Sequence, residues 1–218
     1  MGVRRIVLLG VGGHAKVVWD ALSRMREENA IQVVAVLDDD ARLWGKHFMN
    51  LTVQGAIHEI ALVQAEAAVI AIGDNSARRR VYETVKALGI PLLNVIHPSA
   101  VIAADVQLGD GIVVFANVVV NIGARVGDNV ILNTACTVDH DCVIGAHAHI
   151  APGVHLAGGV SIGEGTLMGI ASSAIPLVEI GKWVTVGAGS VVVSNIPDNV
   201  TIASIPARIL EQKKQNGS

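Results

Sequence analysis

From Ile102 onward the chain repeats every six residues. Ile102, Leu108, Val114, Val120, Val126, Leu132, Val138, Ile144, Ile150, Leu156, Ile162, Met168, Ala174, Ile180, Val186 and Val192 fill sixteen hexads in one unbroken register. A helix of period 3.6 cannot keep that set on one face, and a flat strand shows period two. A fixed period of six describes a solenoid whose coil has three short sides. Leu108-Gly109, Val126-Gly127, Ile144-Gly145, Ile162-Gly163 and Ile180-Gly181 recur every eighteen residues, three hexads to a coil. Parallel strands about 4.8 Å apart then give a prism roughly 25 Å tall. The expected architecture here is an all-β left-handed parallel β-helix of hexapeptide repeats.

The other hexad positions assign an inside and an outside. The fifth position is small in Val106, Val118, Ala124, Cys136, Cys142, Ala148, Thr166, Ser172 and Ser190, as a narrow triangular interior requires. Cys136 and Cys142 therefore read as interior residues in a reducing compartment, not as a disulfide. The sixth position should point outward, in three columns. Gln107, Arg125, Val143, Ser161 and Glu179 form a solvated column. Val101, Val119, Thr137, His155, Ser173 and Val191 form a second. Val113, Ile131, His149, Leu167 and Thr185 form a third, whose apolar members read as an exposed strip at a subunit boundary, within a three-fold assembly. The coils are expected to continue to about Asn195-Ile196-Pro197.

The first half alternates strands and helices. Ile6 to Gly10, Val33 to Leu37 and Val69 to Ile72 read as buried strands, and Pro91 to Ile96 closes the unit. Val18, Ala21, Leu22 and Met25 mark one helix; Val81, Val85 and Leu88 mark another, N-capped by Asn75 or Ser76. The pattern describes a Rossmann-like α/β half unit. The expected domains are 1–96 for this nucleotide-sugar-binding unit, 97–210 for the β-helix and 211–218 for a polar tail. The loop Gly10-Val11-Gly12-Gly13-His14-Ala15 follows the first strand, with Asp38 further on, and matches G-x-G-x-x-(G/A). Its backbone N–H groups suit a phosphate at a helix N-terminus. The competing readings are a dinucleotide such as NAD and a tight turn without ligand. Under a hundred residues supply only one mononucleotide half, which favours a nucleotide or nucleotide-sugar, with Gly12, Gly13, His14, Asp38, Asp39 and Gly73 as its contacts.

Bulk properties narrow the function. The formal net charge is −3 and no basic patch points to nucleic acid. The most apolar stretch, Ile112 to Leu132, is broken by Asn117, Asn121, Arg125, Asp128 and Asn129, so it does not read as a membrane span. No signal-peptide pattern follows Ile6-Val7-Leu8-Leu9. The expected location is cytoplasmic.

A half unit opening Gly-x-Gly-Gly-His-Ala-Lys-Val-Val, then His97-Pro98-Ser99-Ala100 and hexad coils, resembles one family over nearly the whole chain. That family is the sugar O- and N-acyltransferases, typified by bacterial sialic acid O-acetyltransferases and UDP-4-amino-sugar N-acetyltransferases. The most specific stretch runs Asn133-Thr134-Ala135-Cys136-Thr137-Val138-Asp139-His140-Asp141-Cys142 and on to His147-Ala148-His149-Ile150-Ala151-Pro152-Gly153. The resemblance implies an acetyl-CoA-dependent transferase in polysaccharide biosynthesis, trimeric and without a metal. It implies His140 as general base, Asp141 as its polarising acid and His149 beside the thioester. Gly158, Ile170 and Gly187 are implied among the acetyl-CoA contacts. The family often ends Gly-x-Pro-Ala-Lys; this chain has Ser204-Ile205-Pro206-Ala207-Arg208, a departure at the last CoA contacts.

The residues make their own case for His140. Imidazole alone has an unperturbed pKa near neutrality, suited to deprotonating an attacking amine or hydroxyl. His140 sits at a corner, with Gly158 one coil on expected to leave open space beside it. Successive side chains on a straight strand diverge, so a His140–Asp141 pair needs that corner, and Asp139 is a rival partner. Asn133 would position the substrate or the base. Two other classes compete. One is a metallo-lyase of carbonic anhydrase type, with zinc held between subunits by histidines drawn from His140, His147, His149 and His155; it gives the glycine loop no role. The other is a non-catalytic nucleotide-binding assembly protein, which would bind no CoA.

Overall fold

The computed structural model describes residues 3–25 and 31–212. The chain divides into two compact units, Met1–Pro98 and Ser99–Ser218.

The first unit is built on a three-stranded parallel sheet. Strand β1 (Arg4–Leu9) lies between β2 (Ile31–Leu37) and β5 (Ala67–Ile70), with helix α1 (Gly13–Met25) after β1 and α2 (Asn75–Ala87) after β5. A short hairpin, β3 (His47–Phe48) and β4 (Leu51–Thr52), fills the long connection. Parallel strands are covered on both faces, which is why β1 ends in an unbroken apolar run, Ile6-Val7-Leu8-Leu9, all fully buried. Val7 and Leu9 join Leu37, Ile70, Val81, Tyr82 and Val85 in one core. Ile6 and Leu8 point to the opposite face. The buried stripe of α1 is Ala15, Val18, Ala21 and Leu22; Met25, expected on it, is half-buried. The N-cap of α2 is Asp74, one residue before the nearer of the two expected caps: its carboxylate accepts from the Ala77 N–H at 2.7 Å, leaving Asn75 as the first helical residue.

Sheet order places β1 between two neighbours that the chain reaches in opposite lateral directions. The carboxyl end of β1 is therefore the topological switch point, where open α/β sheets bind ligands.

The second unit is a β-solenoid of two-residue strands, each ending on the predicted hexad residue. One side stacks six strands from Val101–Ile102 to Val191–Val192. A second stacks five, from Gln107–Leu108 to Glu179–Ile180. The third runs from Val113–Val114 through Ile131–Leu132, His149–Ile150, Leu167–Met168 and Thr185–Val186 to Val200–Ala203. Parallel partners lie eighteen residues apart, as Val119 with Thr137 and Ile131 with His149. Leu132, Val138 and Ile150 are fully buried. Each such side chain contributes about 1.5–3 kcal/mol. Coils approach so closely at the glycine ladder that a β-carbon on Gly145 would lie 2.6 Å from the Glu164 nitrogen.

Cys136 and Cys142 are free and buried inside the prism. Burial pushes the Cys136 thiol up to about 12, so neither geometry nor ionisation suits it to carry an acyl group.

Two expectations change. The register shift near Asn195 does not end the solenoid. Ile196 bridges Ile180, and Thr201 pairs with Thr185, both sixteen residues on instead of eighteen. The coil has lost two residues and closes one more side. Strand Arg208–Gln212 then pairs antiparallel with Val200–Ala203, so the chain from Leu210 is strand through residue 212. The rest of the expected tail, 213–218, lies outside the described residues. Second, Val113 and Ile131 are not an exposed strip: they are 2% and 0% exposed in the single chain. The column gave their direction relative to the prism axis, and direction alone does not set exposure. His149, Leu167 and Thr185 are half-buried.

Candidate active site

In the first unit a cleft of about 960 Å³ opens at the carboxyl ends of the three strands. Gly12, Gly13, His14, Asp38, Asp39 and Gly73 all line it, so the structure brings together the whole expected nucleotide-side set. A β-carbon built on Gly12 or Gly13 meets nothing within 4 Å, so both backbones face open space. Asp38 works within the protein: one oxygen accepts from the Val11 N–H of the glycine loop at 2.9 Å, the other from the Asp40 N–H at 2.8 Å. Asp39 accepts from the Ile57 N–H at 2.9 Å. The two acids thus pin the loop and the opposite wall of the cleft. Beneath the loop, burial first and the Arg78 charge second hold the His14 pKa down at about 4, so its imidazole is neutral at pH 7. Arg78 is 1% exposed and donates to the Ile72 and Gly73 carbonyls and to Asn75 Oδ1. The Arg78 guanidinium, held by the carbonyls of Ile72 and Gly73, adds a fixed positive charge beside the glycine-lined end of the cleft.

Sequence reasoning missed Trp44, His58 and Arg80, which also line the cleft. The Trp44 Nε1–H donates to the Asp38 carbonyl at 2.8 Å, fixing an indole that stays 44% exposed. Arg80 was findable: Ala77, Arg80, Val81 and Thr84 follow the i, i+3, i+4, i+7 stripe of one helix face. Trp44 lies in an aperiodic connection that carries no such signal.

In the prism, His140 occupies the corner between the six-stranded and five-stranded sides. Its Nδ1 and Asp141 Oδ2 are 2.8 Å apart. Adjacent residues can meet this way because Asp141 adopts φ +60°, turning its side chain back toward its predecessor. The rival, Asp139, does something else: Oδ1 accepts from the His140 backbone N–H and from Asn121 Nδ2, each at 2.8 Å. The hydrogen bond to Asp141, then the charge of Asp139, raise the His140 pKa above its ordinary value. Gly158 does not leave empty space. The His140 ring fills it, and a β-carbon at 158 would lie 2.5 Å from Nε2.

The remaining expected residues collect elsewhere. Asn133 Oδ1 accepts from the Thr134 N–H at 2.8 Å, which orients the amide so that Nδ2 faces His149 Nε2 at 3.0 Å. Ile170, 58% exposed, and Gly187 stand at the same corner in later coils. Asn133, His149, Ile170 and Gly187 therefore share one corner, while His140, Asp141 and Gly158 share another. One prism side separates them, roughly 15–20 Å at about 3.3 Å per residue. The other two histidines are apart again: His147 pairs with buried Asn129, and His155 with Thr137. Among the described residues no group of three or more His, Cys, Asp or Glu could hold a metal ion. No described helix is long and apolar enough to cross a membrane.

Comparison with known proteins gives the class first. Residues 5–85 match a model of the PglD N-terminal domain, and residues 123–158 match six bacterial transferase hexapeptide repeats. The acetyltransferase domain of PglB from Neisseria gonorrhoeae, solved with acetyl coenzyme A, is 36% identical; the match covers 96% of this chain and 100% of that one, with a TM-score of 0.88. A perosamine N-acetyltransferase from Caulobacter crescentus, solved as a histidine-to-asparagine mutant with CoA and GDP-perosamine, is also 36% identical, over 97% and 99% of the two chains, with a TM-score of 0.88. The UDP-N-acetylbacillosamine N-acetyltransferase of Bacillus subtilis is 33% identical over 116 residues, so the match spans about half of that curated relative, 52%. The chain belongs to the PglD-type family of hexapeptide-repeat sugar N-acetyltransferases.

Proposed function

We propose that this protein moves the acetyl group of acetyl-CoA to the amine of a nucleotide-linked amino sugar, with His140 as general base. The observation that carries the reading is the His140–Asp141 pair. With Nδ1 held by Asp141, Nε2 is the nitrogen left to take a proton. As the amine attacks the thioester carbonyl and the C–N bond forms, Nε2 receives the amine's proton. The tetrahedral centre then collapses, the C–S bond breaks, and the imidazolium returns that proton to the CoA sulfur. A backbone N–H steadies the oxyanion in this scheme. Neither cysteine takes part.

The first-unit cleft binds the nucleotide, with the loop N–H groups toward the diphosphate and Trp44 offering its face to the base. Asn133, His149, Ile170 and Gly187 take the acetyl-CoA. Those residues and His140 are a prism side apart in one chain, so the complete site is formed between neighbouring chains of a homotrimer. Both co-substrates are cytoplasmic metabolites, and two unpaired thiols suit that compartment.

The test is thiol release from acetyl-CoA with nucleotide-linked 4-amino sugars as acceptors. Thiol should appear only with an amine-bearing acceptor, at a rate indifferent to chelators. Nucleotide binding without thiol release from any acceptor would leave the assembly-protein reading standing, and loss of activity on chelation would favour a metallo-enzyme.

A Gly12→Val change places its side chain in open space within the cleft, so the fold should survive. Nucleotide-sugar affinity is expected to drop at least about tenfold by calorimetry, or about 1.4 kcal/mol. Unaltered affinity would remove the glycine loop from the site.

A further inference from the structure

The corner that holds His140 has a second layer one coil earlier. In that column, eighteen residues apart, stand Ala103, Asn121, Asp139, Ala157 and Ile175. The only polar members are the two that meet under His140. Both backbones are locked in the ladder, Asn121 N–H to the Val138 carbonyl and Asp139 N–H to the Leu156 carbonyl. Their side chains therefore approach across a fixed spacing, and Asn121 Nδ2 donates to Asp139 Oδ1 at 2.8 Å. The same oxygen accepts the His140 backbone N–H.

We propose that Asn121 is a positioning residue for proton transfer, acting through Asp139 to fix the backbone of His140 and to hold a negative charge beside its imidazole. This rests on the reading of His140 as the base. Without Asn121, the Asp139 carboxylate loses its lateral anchor and can rotate toward water. The hydrogen bonds from Asn121 and from the His140 N–H hold Asp139 below the usual carboxylate range, so it is anionic throughout the working pH. Its charge adds to the effect of Asp141 on the ring. Other charges do not confuse the corner. The coil before contributes Asn121, Ile122 and Gly123, and the coil after Ala157, Gly158 and Gly159, none titratable. Asp105, a coil earlier still, accepts from the Gly123 N–H.

The experiment is an NMR titration of the His140 imidazole in the full-length protein, its resonance assigned by loss in His140→Ala. Asn121 is exposed, so Asn121→Ala should fold. Its midpoint should fall by about half a pH unit, because a nearby anion has stopped favouring the charged ring. Asp139→Asn should lower it as well. The double variant should match Asp139→Asn alone, because Asn121 acts only through that carboxylate. The acid limb of kcat/KM should move to lower pH in step. A wild-type midpoint in Asn121→Ala, or shifts that add in the double variant, overturns the relay. If the titrations behave as expected but no amino sugar is acetylated, the acetyl-transfer reading falls and the relay stands.

Discussion

Replacing His140 with alanine is expected to lower kcat by about 10²–10⁴, with acetyl-CoA binding nearly unchanged, and Gly158→Ala should come close to the same loss without removing any polar group. A β-carbon at 158 would lie 2.5 Å from Nε2, 2.6 Å from Cε1 and 3.2 Å from Cδ2 of the ring. The imidazole has to swing aside, and in doing so it strains its 2.8 Å bond to Asp141. Misplacing a reacting group by about 1 Å can cost about 10² in rate. Stability should hardly change, because the displaced atoms are the far end of an exposed side chain and not backbone. This separates Gly158 from the ladder glycine Gly145, where a β-carbon meets the next coil's main chain. The measurement pairs steady-state kinetics with a thermal melt. Full activity in a normally folded Gly158→Ala protein would show that the ring orientation seen here is not the working one.

What could be read from the sequence follows from how local the governing physics is. The hexads were legible because each coil repeats the same steric demand, and each of the sixteen aliphatic hexad residues ends a strand. The cysteines fell into place for the same reason. Along the α/β unit, the strands were legible as apolar runs and the glycine loop as a motif. The sheet order was not, since it depends on which strands pair. The α2 cap was off by one residue because Asp74, Asn75 and Ser76 are all competent caps, and only backbone torsions choose among them. Val113 and Ile131 show a different limit. A column states which way a side chain points from the prism, but not how exposed it is there. Trp44 had no periodic pattern to reveal it. The division of the site was open to arithmetic: His140 and Gly158 differ by eighteen, as do neighbours on one corner, whereas Asn133 and His140 differ by seven and cannot share one.

That arithmetic leads to the test of the shared site. An Ile131→Glu change cannot serve, since Ile131 is fully buried in the single chain and an unpaired charge there would destabilise the fold whatever the assembly. Complementation avoids the difficulty. His140→Ala chains lack the proposed base at one corner but keep Asn133 and His149 intact at the other. Chains with Asn133→Ala and His149→Ala together keep His140 and lose the proposed acetyl-CoA side. Each homo-oligomer should be inactive, the first by about 10² or more. Mixed by co-expression, the two chains should regain activity, because a fraction of subunit boundaries would set the intact His140 corner of one chain against the intact Asn133–His149 corner of its neighbour. In randomly assembled trimers at equal expression, one boundary in four has both intact corners, so recovery should approach roughly a quarter of the wild-type rate. The altered side chains are half-buried or exposed and lie outside the prism interior, so assembly itself should persist. If mixing restores nothing while mixed trimers are demonstrably present, the two corners do not serve one site. In that case acetyl-CoA must reach His140 along its own corner, past Gly158, and the part assigned to Asn133 and His149 is structural.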